Sequence, residues 1–593
     1  MSVRGITFRV LCVVVLFSAC AEEAEESEIP DTTYAQPEEA SYASGRSSVK
    51  APQLSFTDIT DQSGIDFLHE NGAVGDKWMP ETMGSGCALF DYDEDGDLDV
   101  LLVNGQSWNG KGNTRTRLYE NGGKADFTDV TERAGLDINV YGMGANVADY
   151  DADGDLDIFV TALGPNVLLR NDAGRFVDVA KQAGVLGERW LDDQGRSNDE
   201  WSTSALWFDV DGDGWLDLLV TNYIRWSIET DIYTSLDGNN KSYATPQQYP
   251  GSTPRLYRNQ GDGTFVEITK EAGLLLPDGK SMGVAMTDFE GNGLIDLVVT
   301  NDTQPNFLLQ NLGDGRFVER GLMAGIGYDD TGRARAGMGV DITSVENDGV
   351  QSIAIGNFSR EALSLYRQTG EVFVDAAGKA KLVQSTLPTL TFGLRFLDVD
   401  FDGYQDLILA NGHIEPEINS VQKEITYQQT SQLFWNSGSG RMVDISEDSG
   451  PFFLEEIVAR GLSAGDVDGD GDLDVLMTTN GGRAYLLRND GPTGKAIAIK
   501  LRGEGGNKRA IGALVSVTSG ERTQTQMVRT GSSYLSHSPL ELTFGVGQTE
   551  QVERVEIRWP DGTQESIEDV TTGQRYQITQ GEGVVHTIAF SNL

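Results

Sequence analysis

The chain has 593 residues, of which 39% are hydrophobic and 8% aromatic, so it contains enough apolar material for a packed core and is not disordered throughout. Acidic residues outnumber basic residues 91 to 45, and the formal net charge of −46 excludes a nucleic-acid-binding protein, because phosphate groups are bound by basic surfaces. A compact domain with this charge repels itself unless its acids are well solvated or neutralised by bound cations.

Residues 1–20 are predicted to be a signal peptide. Two arginines precede an apolar run over 10–17, and the segment ends in Ser-Ala-Cys20. Small residues that end in Cys resemble the bacterial lipobox, which implies that Cys20 is lipidated. Phe17 departs from the Leu that is usual in this motif, and ordinary cleavage after Ala19 is the alternative. We therefore expect a cell-envelope protein, an outer-membrane or cell-surface lipoprotein held in the membrane by its anchor, or otherwise a secreted protein.

Residues 21–53 are rich in Glu, Ser, Ala and Pro, which predicts a disordered acidic tether. No later apolar run reaches the ~18 residues needed for a membrane-spanning helix. Cys12 leaves with the signal and Cys20 carries lipid, so Cys87 has no partner for a disulfide within the chain. The apolar neighbours of Cys87 favour a small core residue over a reactive thiol.

Residues 54–490 contain an acidic motif with the spacing D-x-D-x-D-G-x-x-D, in seven copies. Five copies are complete, and a sixth has Glu and Asn in place of its second and third Asp. Another copy has Ser344 and Ser352 at its first and last positions. The copy that begins at Ser344 is expected to bind nothing. The acid or amide positions of the other six copies are Asp91, Asp93, Asp95 and Asp99; Asp149, Asp151, Asp153 and Asp157; Asp209, Asp211, Asp213 and Asp217; Asp288, Glu290, Asn292 and Asp296; Asp398, Asp400, Asp402 and Asp406; and Asp466, Asp468, Asp470 and Asp474.

Each copy of the motif lies between two apolar strands, and two further strands follow, the third ending in Asn and the fourth beginning with Phe. Four short strands in each unit are typical of one β-propeller blade, so seven units predict an all-β, seven-bladed propeller. The last unit lacks its Phe-led strand, and a matching segment lies at 56–59. We therefore expect this N-terminal strand to complete the last blade and close the ring, which removes exposed sheet edges.

The spacing of the acids indicates bound calcium. Carboxylates at positions 1, 3, 5 and 9 of a glycine-turned loop can surround one ion with hard oxygen ligands at roughly 2.3–2.6 Å, which suits Ca²⁺ better than Mg²⁺. An EF-hand would close with Glu at position 12 between helices, whereas these loops close with Asp at position 9 between strands. Asx-turns alone would need one Asp in each loop, and four clustered carboxylates repel one another. Five or six structural Ca²⁺ sites are predicted.

These motifs resemble the FG-GAP or VCBS repeats of integrin-α-like propellers over residues 55–490. Residues 491–593 look like the ASPIC/UnbV domain that follows such repeats in proteins similar to cartilage acidic protein 1. The resemblance implies calcium binding and an extracellular location, without a settled molecular activity. Independently, alternating apolar and polar residues predict a small β-sandwich or barrel. The segments that carry the resemblance are 507–515, 528–536, 542–547 and 555–562.

The long insertions of the repeats fall in loops that a propeller places on the side opposite the acidic motifs. We name this predicted surface the loop face; its residues are 61–85, 104–116, 185–203, 223–254, 321–337 and 412–431. Aromatic residues on long loops suit a sugar or protein ligand, but the same residues could instead pack together as a cap. A metal or acid–base pair of His69 with His413 is a further alternative. The candidate ligand residues are Trp78, Trp108, Trp190, Trp201, Trp226, His413, Glu415 and Tyr427.

The predicted function is a secreted, surface-anchored recognition or adhesion module for an extracellular polysaccharide or protein, and not an enzyme. The sequence has no G-x-S-x-G or H-E-x-x-H signature and no other recognisable catalytic motif. The alternatives are a propeller lyase or hydrolase that acts on sugar polymers, and a structural component of a cell-surface assembly.

Overall fold

The structure is a computed structural model that describes residues 51–108, 115–491 and 494–591. The predicted signal peptide, the lipidated Cys20 and nearly all of the tether lie outside the described residues. Within these ranges no helix is long and apolar enough to cross a membrane.

The described residues form seven four-stranded sheets, followed by two more, with short helices between them. Strand β1 (Phe56–Asp58) comes first. Sheet 1 contains β2 (Cys87–Phe90), β3 (Asp99–Leu102), β4 (Arg117–Asn121) and β5 (Phe127–Asp129). Sheet 2 contains β6 (Tyr141–Ala148), β7 (Asp157–Leu163), β8 (Val167–Asn171) and β9 (Phe176–Asp178). A separate hairpin pairs β10 (Arg189–Leu191) with β11 (Ser197–Asp199). Sheet 3 contains β12 (Ser202–Phe208), β13 (Asp217–Asn222), β14 (Arg255–Asn259) and β15 (Phe265–Glu267).

Sheets 4 to 7 repeat this order. Sheet 4 contains β16 (Ser281–Thr287), β17 (Asp296–Asn301), β18 (Phe307–Asn311) and β19 (Phe317–Glu319). Sheet 5 contains β20 (Gly337–Thr343), β21 (Ser352–Asn357), β22 (Ser364–Thr369) and β23 (Val372–Asp375). Sheet 6 contains β24 (Thr391–Leu397), β25 (Asp406–Asn411), β27 (Gln432–Asn436) and β28 (Met442–Asp444), while β26 (Gln429–Thr430) pairs with β29 (Glu456–Ile457). Sheet 7 contains β30 (Ala459–Gly465), β31 (Asp474–Thr479), β32 (Tyr485–Asn489) and β1.

The helices of the described chain are one-turn segments that connect the sheets. The α-helices are α1 (Thr60–Ser63), α2 (Ala180–Ala183), α3 (Gly321–Ala324), α4 (Ala377–Ala380) and α5 (Val383–Thr386). The 3₁₀ turns are Met79–Thr82, Ile228–Thr230, Pro246–Gln248, Ile418–Ser420, Ser446–Asp448 and Pro451–Leu454.

The first strand of each sheet contacts the first strand of the next, and β30 contacts β2, so the seven sheets follow one another in a cycle. Strand β1 pairs antiparallel with β32, with Phe56 opposite Asn489. This pairing confirms the prediction that the N-terminal segment completes the last sheet. The first strands are buried along nearly their whole length, as β6 illustrates, whereas β9 at the outer edge buries only Phe176.

The Asn that ends the third strand ties each sheet to the one before it. The side chain of Asn171 in sheet 2 donates to the backbone carbonyl of Tyr92 in sheet 1 at 2.8 Å. In sheet 5, which lacks this Asn, Gln368 donates to the carbonyl of Phe289 in sheet 4 at 2.9 Å. The same bond recurs at the other junctions, from Asn121 to Val467, Asn259 to Tyr150, Asn311 to Val210, Asn436 to Val345 and Asn489 to Val399.

The C-terminal part forms two four-stranded sheets that bury a common core. Its strands are β33 (Lys495–Arg502), β34 (Leu514–Ser519), β35 (Arg522–Met527), β36 (Leu542–Gly547), β37 (Gln551–Arg558), β38 (Gln564–Thr571), β39 (Gln574–Thr579) and β40 (Gly583–Ala589). The orders are β36-β33-β39-β40 and β35-β34-β37-β38, and β33 runs parallel to β39. Ile497, Val515 and Phe544 pack in this core.

Residues 528–539, between β35 and β36, reach the middle of the cycle of seven sheets; we call them the hub segment. Its side chains are largely buried, and Tyr534 is completely buried. The contacts to the seven sheets in order are His537 with Cys87, Leu535 with Ala145, Thr530 with Trp207, Gly531 with Val284, Ser533 with Val340, Tyr534 with Phe392, and His537 with Ser463. The C-terminal domain and the sheets therefore form a single packed unit.

Candidate metal centres and loop face

Five of the acidic loops bring carboxylates together. In each complete copy of the motif, oxygen atoms from positions 1, 3 and 9 lie within 4.8 Å of one another. The groups are Asp91, Asp93 and Asp99; Asp149, Asp151 and Asp157; Asp209, Asp211 and Asp217; Asp398, Asp400 and Asp406; and Asp466, Asp468 and Asp474. The position-5 residues, Asp95, Asp153, Asp213, Asp402 and Asp470, are not part of these groups. Asp95, for example, accepts a hydrogen bond from the N–H of Asp97 at 3.0 Å.

Local backbone bonds hold the loops in this shape. The position-9 acid accepts two backbone N–H groups: Asp99 accepts those of Tyr92 and Asn121, each at 2.8 Å. Gly154 at position 6 has a φ of 109°, where a side chain would be strained, and its N–H donates to Asp149 at 3.1 Å. The motif's glycine and its last Asp therefore form the loop, while the carboxylates at positions 1 and 3 remain available.

Each of the five groups contains a buried carboxylate oxygen that has no hydrogen-bond partner within the described part of the chain. These atoms are Asp91 Oδ1, Asp149 Oδ1, Asp211 Oδ1, Asp398 Oδ1 and Asp468 Oδ2. An unsatisfied buried acceptor is costly, and an oxygen-seeking cation placed among the carboxylates would satisfy it. The residues present therefore fit a bound divalent cation.

The raised pKa values of the clustered aspartates also favour a bound cation. Burial, reinforced by neighbouring aspartates, raises the pKa of Asp99 and of Asp217 to about 8. Burial also raises the pKa of Asp466 to about 7, although Arg575 opposes the shift. The pKa of Asp149 is raised to about 6 by burial. Without a cation these carboxylates would hold protons near neutral pH, because they cannot all be charged together.

The two imperfect loops differ from the five complete ones. Asp288 Oδ2 forms an ion pair at 2.8 Å with Arg558 of the C-terminal domain, and this loop is not among the five groups. In the loop that begins at Ser344, Glu346 lies 3.2 Å from Lys379 and 3.4 Å from Arg367. Basic side chains thus neutralise acids of both loops, and a sixth metal site at Asp288 stays a prediction.

Metal content should separate the two kinds of loop. We expect Asp398→Asn to lower the bound metal by one ion per chain, because the amide keeps the size of the side chain and loses its charge. Asp348→Asn, in the loop that begins at Ser344, is the matched control, and its metal content should equal that of the wild-type protein, since this loop lacks its first and last acids. Elemental analysis after dialysis against micromolar calcium measures both. An ion lost from Asp348→Asn and none from Asp398→Asn would contradict this assignment.

The tryptophans predicted for the loop face mostly pack on one another. Trp201 and Trp226 are buried, with ring centroids 6.2 Å apart. Trp108 is half-buried, and its ring lies 6.0 Å from that of Trp226 and 5.0 Å from that of Trp78. Trp190 lies apart from this cluster on β10, where its Nε1 donates to the carbonyl of Asp199 at 3.0 Å. This is the cap arrangement that the sequence left open, and a ligand role for these residues stays a prediction.

Acidic residues beneath the cap are held by hydrogen bonds. Glu81 accepts bonds from Trp108 Nε1 and Tyr243 Oη, each at 3.0 Å. Glu415 pairs with Lys77 at 2.8 Å and accepts the N–H of Tyr243 at 3.0 Å. Burial raises the pKa of both Glu81 and Glu415. Tyr427 is half-buried nearby, and its backbone carbonyl accepts the N–H of His413.

His69 and His413 are both buried, and both lie near Arg460. Burial, followed by the charge of Arg460, lowers their pKa values to about 3 and about 4. Each Nδ1 accepts a backbone N–H, from Gly481 for His69 and from Glu415 for His413. Both histidines are therefore neutral at physiological pH, and a metal or acid–base role for the pair stays a prediction.

Two families match separate parts of this chain. The FG-GAP-like repeat matches residues 91–160, 149–220, 231–299 and 417–477. The ASPIC and UnbV family matches residues 503–585. These are the regions that hold the acidic loops and the C-terminal sheets.

Whole-chain comparisons find further relatives. Cartilage acidic protein 1 of Xenopus tropicalis is 24% identical over 510 residues, covering 82% of this chain and 71% of the relative. The human cartilage acidic protein 1 is 24% identical over 528 residues, covering 84% and 72%. Among solved structures, Saccharomyces cerevisiae Sqt1 is 9% identical over 74% of this chain and 98% of that chain, with a TM-score of 0.34. The protein thus carries FG-GAP-like repeats followed by an ASPIC and UnbV domain, and it is homologous to cartilage acidic protein 1 over most of its length.

Proposed function

We propose that this protein is a calcium-stabilised, seven-bladed β-propeller that acts as a recognition or adhesion module outside the cell. The C-terminal sheets form a β-sandwich that packs against the propeller. The signal peptide directs secretion, and lipidated Cys20 anchors the chain at the cell surface. The partner is an extracellular polysaccharide or protein, and the protein performs no catalysis. Repeats of the FG-GAP type support the coarser part of this proposal, a module for interaction or recognition.

Calcium is proposed because five loops share one arrangement of carboxylates and each has an unsatisfied buried oxygen. Calcium accepts six to eight oxygen ligands in flexible geometry, whereas Mg²⁺ keeps its waters and demands a near-ideal octahedron. The ions would be enclosed by loops that connect strands. Their proposed role is therefore to hold the sheets together.

The loop face is proposed as the binding surface because its loops expose large apolar side chains. Leu191 and Tyr233 are 68% and 64% exposed, and Met323 is 74% exposed. Exposed apolar groups rimmed by polar residues are typical of interaction surfaces. This observation carries the proposal of recognition.

An array experiment tests the recognition role. Labelled, calcium-loaded full-length protein is applied to arrays of glycans and extracellular proteins, with and without a chelator. We expect selective binding that needs calcium and falls at least ~tenfold in Leu191→Ser/Tyr233→Ser. Val374→Ser removes an equally exposed apolar group from β23 and should bind like the wild type.

Other results of this experiment would favour the alternatives. Shortening of a bound polymer would indicate a lyase or hydrolase. Equal loss of binding in both variants would remove the loop face from the proposal. The absence of binding, together with recovery of the protein in a large envelope complex, would indicate a structural component.

A further inference from the structure

A cavity of about 500 Å³ lies between the ends of the first strands of sheets 4 to 7 and the C-terminal domain. It is on the side of the molecule that carries the acidic loops, away from the loop face. Just over half of its inner wall is apolar, and the seven sheets contribute more of the lining residues than the C-terminal domain does. Representative residues are Met286, Phe396 and Leu397 from the sheets, and Leu514, Met527 and Leu542 from the domain.

One charged side chain in this cavity lacks an ionic partner. Arg395 on β24 lines the cavity and donates a hydrogen bond to the hydroxyl of Ser532. No carboxylate within the described ranges lies at ion-pair distance from its guanidinium. The nearby carboxylate of Asp341 is already committed, because it pairs with Arg529 at 2.6 Å and accepts the N–H of Phe396 at 2.8 Å. Two guanidinium groups therefore share one carboxylate, which leaves one positive charge.

The acids that line the cavity are paired with arginines or exposed to solvent, and two of them share one arginine. Asp466 pairs with Arg575 at 3.1 Å, and Glu541 pairs with the same arginine at 2.8 Å. Asp288 pairs with Arg558 as described above. Glu290, at the rim, is exposed to solvent. Of the two arginines that line the cavity, Arg529 is thus paired with a carboxylate and Arg395 is not.

A charged guanidinium without an ionic partner destabilises the folded protein when no ligand is bound. Desolvation lowers the pKa of Arg395 to about 10, so the group remains charged at neutral pH. A buried charge without a partner costs several kcal/mol, and a neutral side chain of similar size would avoid that cost. Apolar walls with one oriented charge are the features of a small-molecule pocket.

One of the acidic motifs beside the cavity has lost its first and last acids. Ser344 lines the cavity where the complete loops have their first Asp. Gln351, also in the lining, precedes Ser352, which replaces the last Asp. The loss of these two acids lowers the repulsion that an anion would meet on this side of the cavity.

We propose that this cavity binds a small amphiphilic carboxylate, whose charged group pairs with Arg395 and whose hydrocarbon part packs against the apolar wall. An arginine fork accepts a carboxylate through two parallel hydrogen bonds. A chain of about eight carbons would fit within the volume and bury its apolar surface. The site borders the acidic loops, since Asp288 and Asp466 line it, and it lies apart from the proposed recognition surface, so it gives the protein a second organic ligand.

Calorimetric titration of the calcium-loaded full chain with octanoate tests this proposal, with octanol as the uncharged probe. We expect saturable 1:1 binding of octanoate and binding of octanol that is at least ~tenfold weaker. Arg395→Gln should weaken octanoate at least ~tenfold and should melt at the same temperature as the unliganded wild type or higher. Arg554→Gln, on exposed β37, is the matched control and should bind like the wild type.

A second variant keeps the test decisive if Arg395→Gln does not fold. Met527→Trp fills the cavity and should abolish binding while leaving the calcium content unchanged. Absence of saturable octanoate binding to the wild type would overturn the proposal. Equal affinity in the wild type, Arg395→Gln and Met527→Trp would also overturn it, because binding would then be elsewhere.

Discussion

Removal of divalent cations should destabilise this protein more than any single substitution. Five clusters of carboxylates are assembled only in the folded chain, so ions that bind them stabilise the native state. One site contributes about 2.7 kcal/mol when the free ion is at 100 times its Kd. Several such sites together reach the whole stability of a typical domain, about 5–15 kcal/mol. We expect the chelated protein to melt tens of degrees lower.

The stability of the chelated protein should depend on pH, and the raised pKa values of its clustered aspartates give the direction of that dependence. Asp99 and Asp217 have folded pKa values of about 8, raised above an unfolded value of about 3.9. Their contribution to stability is therefore full below pH ~4 and is lost as the pH rises through ~8. The chelated protein should be more stable at pH 6.5 than at pH 8. The buried histidines do not interfere in this window, because they oppose folding only below about pH 6.5.

Calorimetric melts at pH 6.5 and 8, with calcium and with excess chelator, check both expectations. The loaded protein should lack the loss at pH 8, because the cations take the place of the protons. Identical melting with and without chelator at pH 8 would contradict the assignment of the clusters. Magnesium in place of calcium is the control for ion type, and it should restore little of the stability.

Gly86→Ala should cost more than ~4 kcal/mol of unfolding free energy. A Cβ at this position would lie far inside van der Waals contact with the carbonyl oxygen of Leu535 and 2.7 Å from the Cα of Gly144. Both obstacles are backbone atoms, so no side chain can rotate away. The hub segment cannot move to make room, because it contacts the first strands of all seven sheets.

Urea denaturation of the calcium-loaded variants measures this cost. Gly378→Ala in α4 is the matched control, since its Cβ would meet no heavy atom within 4 Å and it lies in a helix. It should leave the protein unchanged or stabilise it by about 0.4–1 kcal/mol. Equal midpoints for the two variants would show that the hub segment is loosely held.

The repeats and the closing strand could be predicted because their signals are local. Alternation, turn residues and the Phe-led pattern predict that the N-terminal segment completes the last sheet, and β1 pairs with β32 as expected. The shape of the metal loops could also be predicted, because the glycine at position 6 allows a positive φ and the Asp at position 9 accepts backbone N–H groups. Position 5 is different, because whether Asp95 faces the cluster depends on the rotation of its side chain.

The hub segment and the cap could not be predicted in the same way. Residues 528–536 belong to a recognisable C-terminal motif. Their place among the seven sheets, however, depends on contacts with residues that can be more than 400 positions away in the sequence. His537, for example, donates to Cys87. The burial of Trp201 and Trp226 likewise depends on how separate loops converge. The junction role of Asn171 had a visible signal, since an Asn ends the third strand of most repeats.

The position of the hub segment has a consequence for biosynthesis. Synthesis proceeds from the N terminus, so the seven sheets emerge from the ribosome before residues 528–539 exist. A nascent chain that stops short of this segment leaves the inner strands, such as β6 and β12, around an empty axis. The seven sheets can therefore be locked together only after residues 528–539 have been synthesised. Termination before residue 528 would release the sheets without the hub segment, which exposes apolar strands to chaperones and proteases.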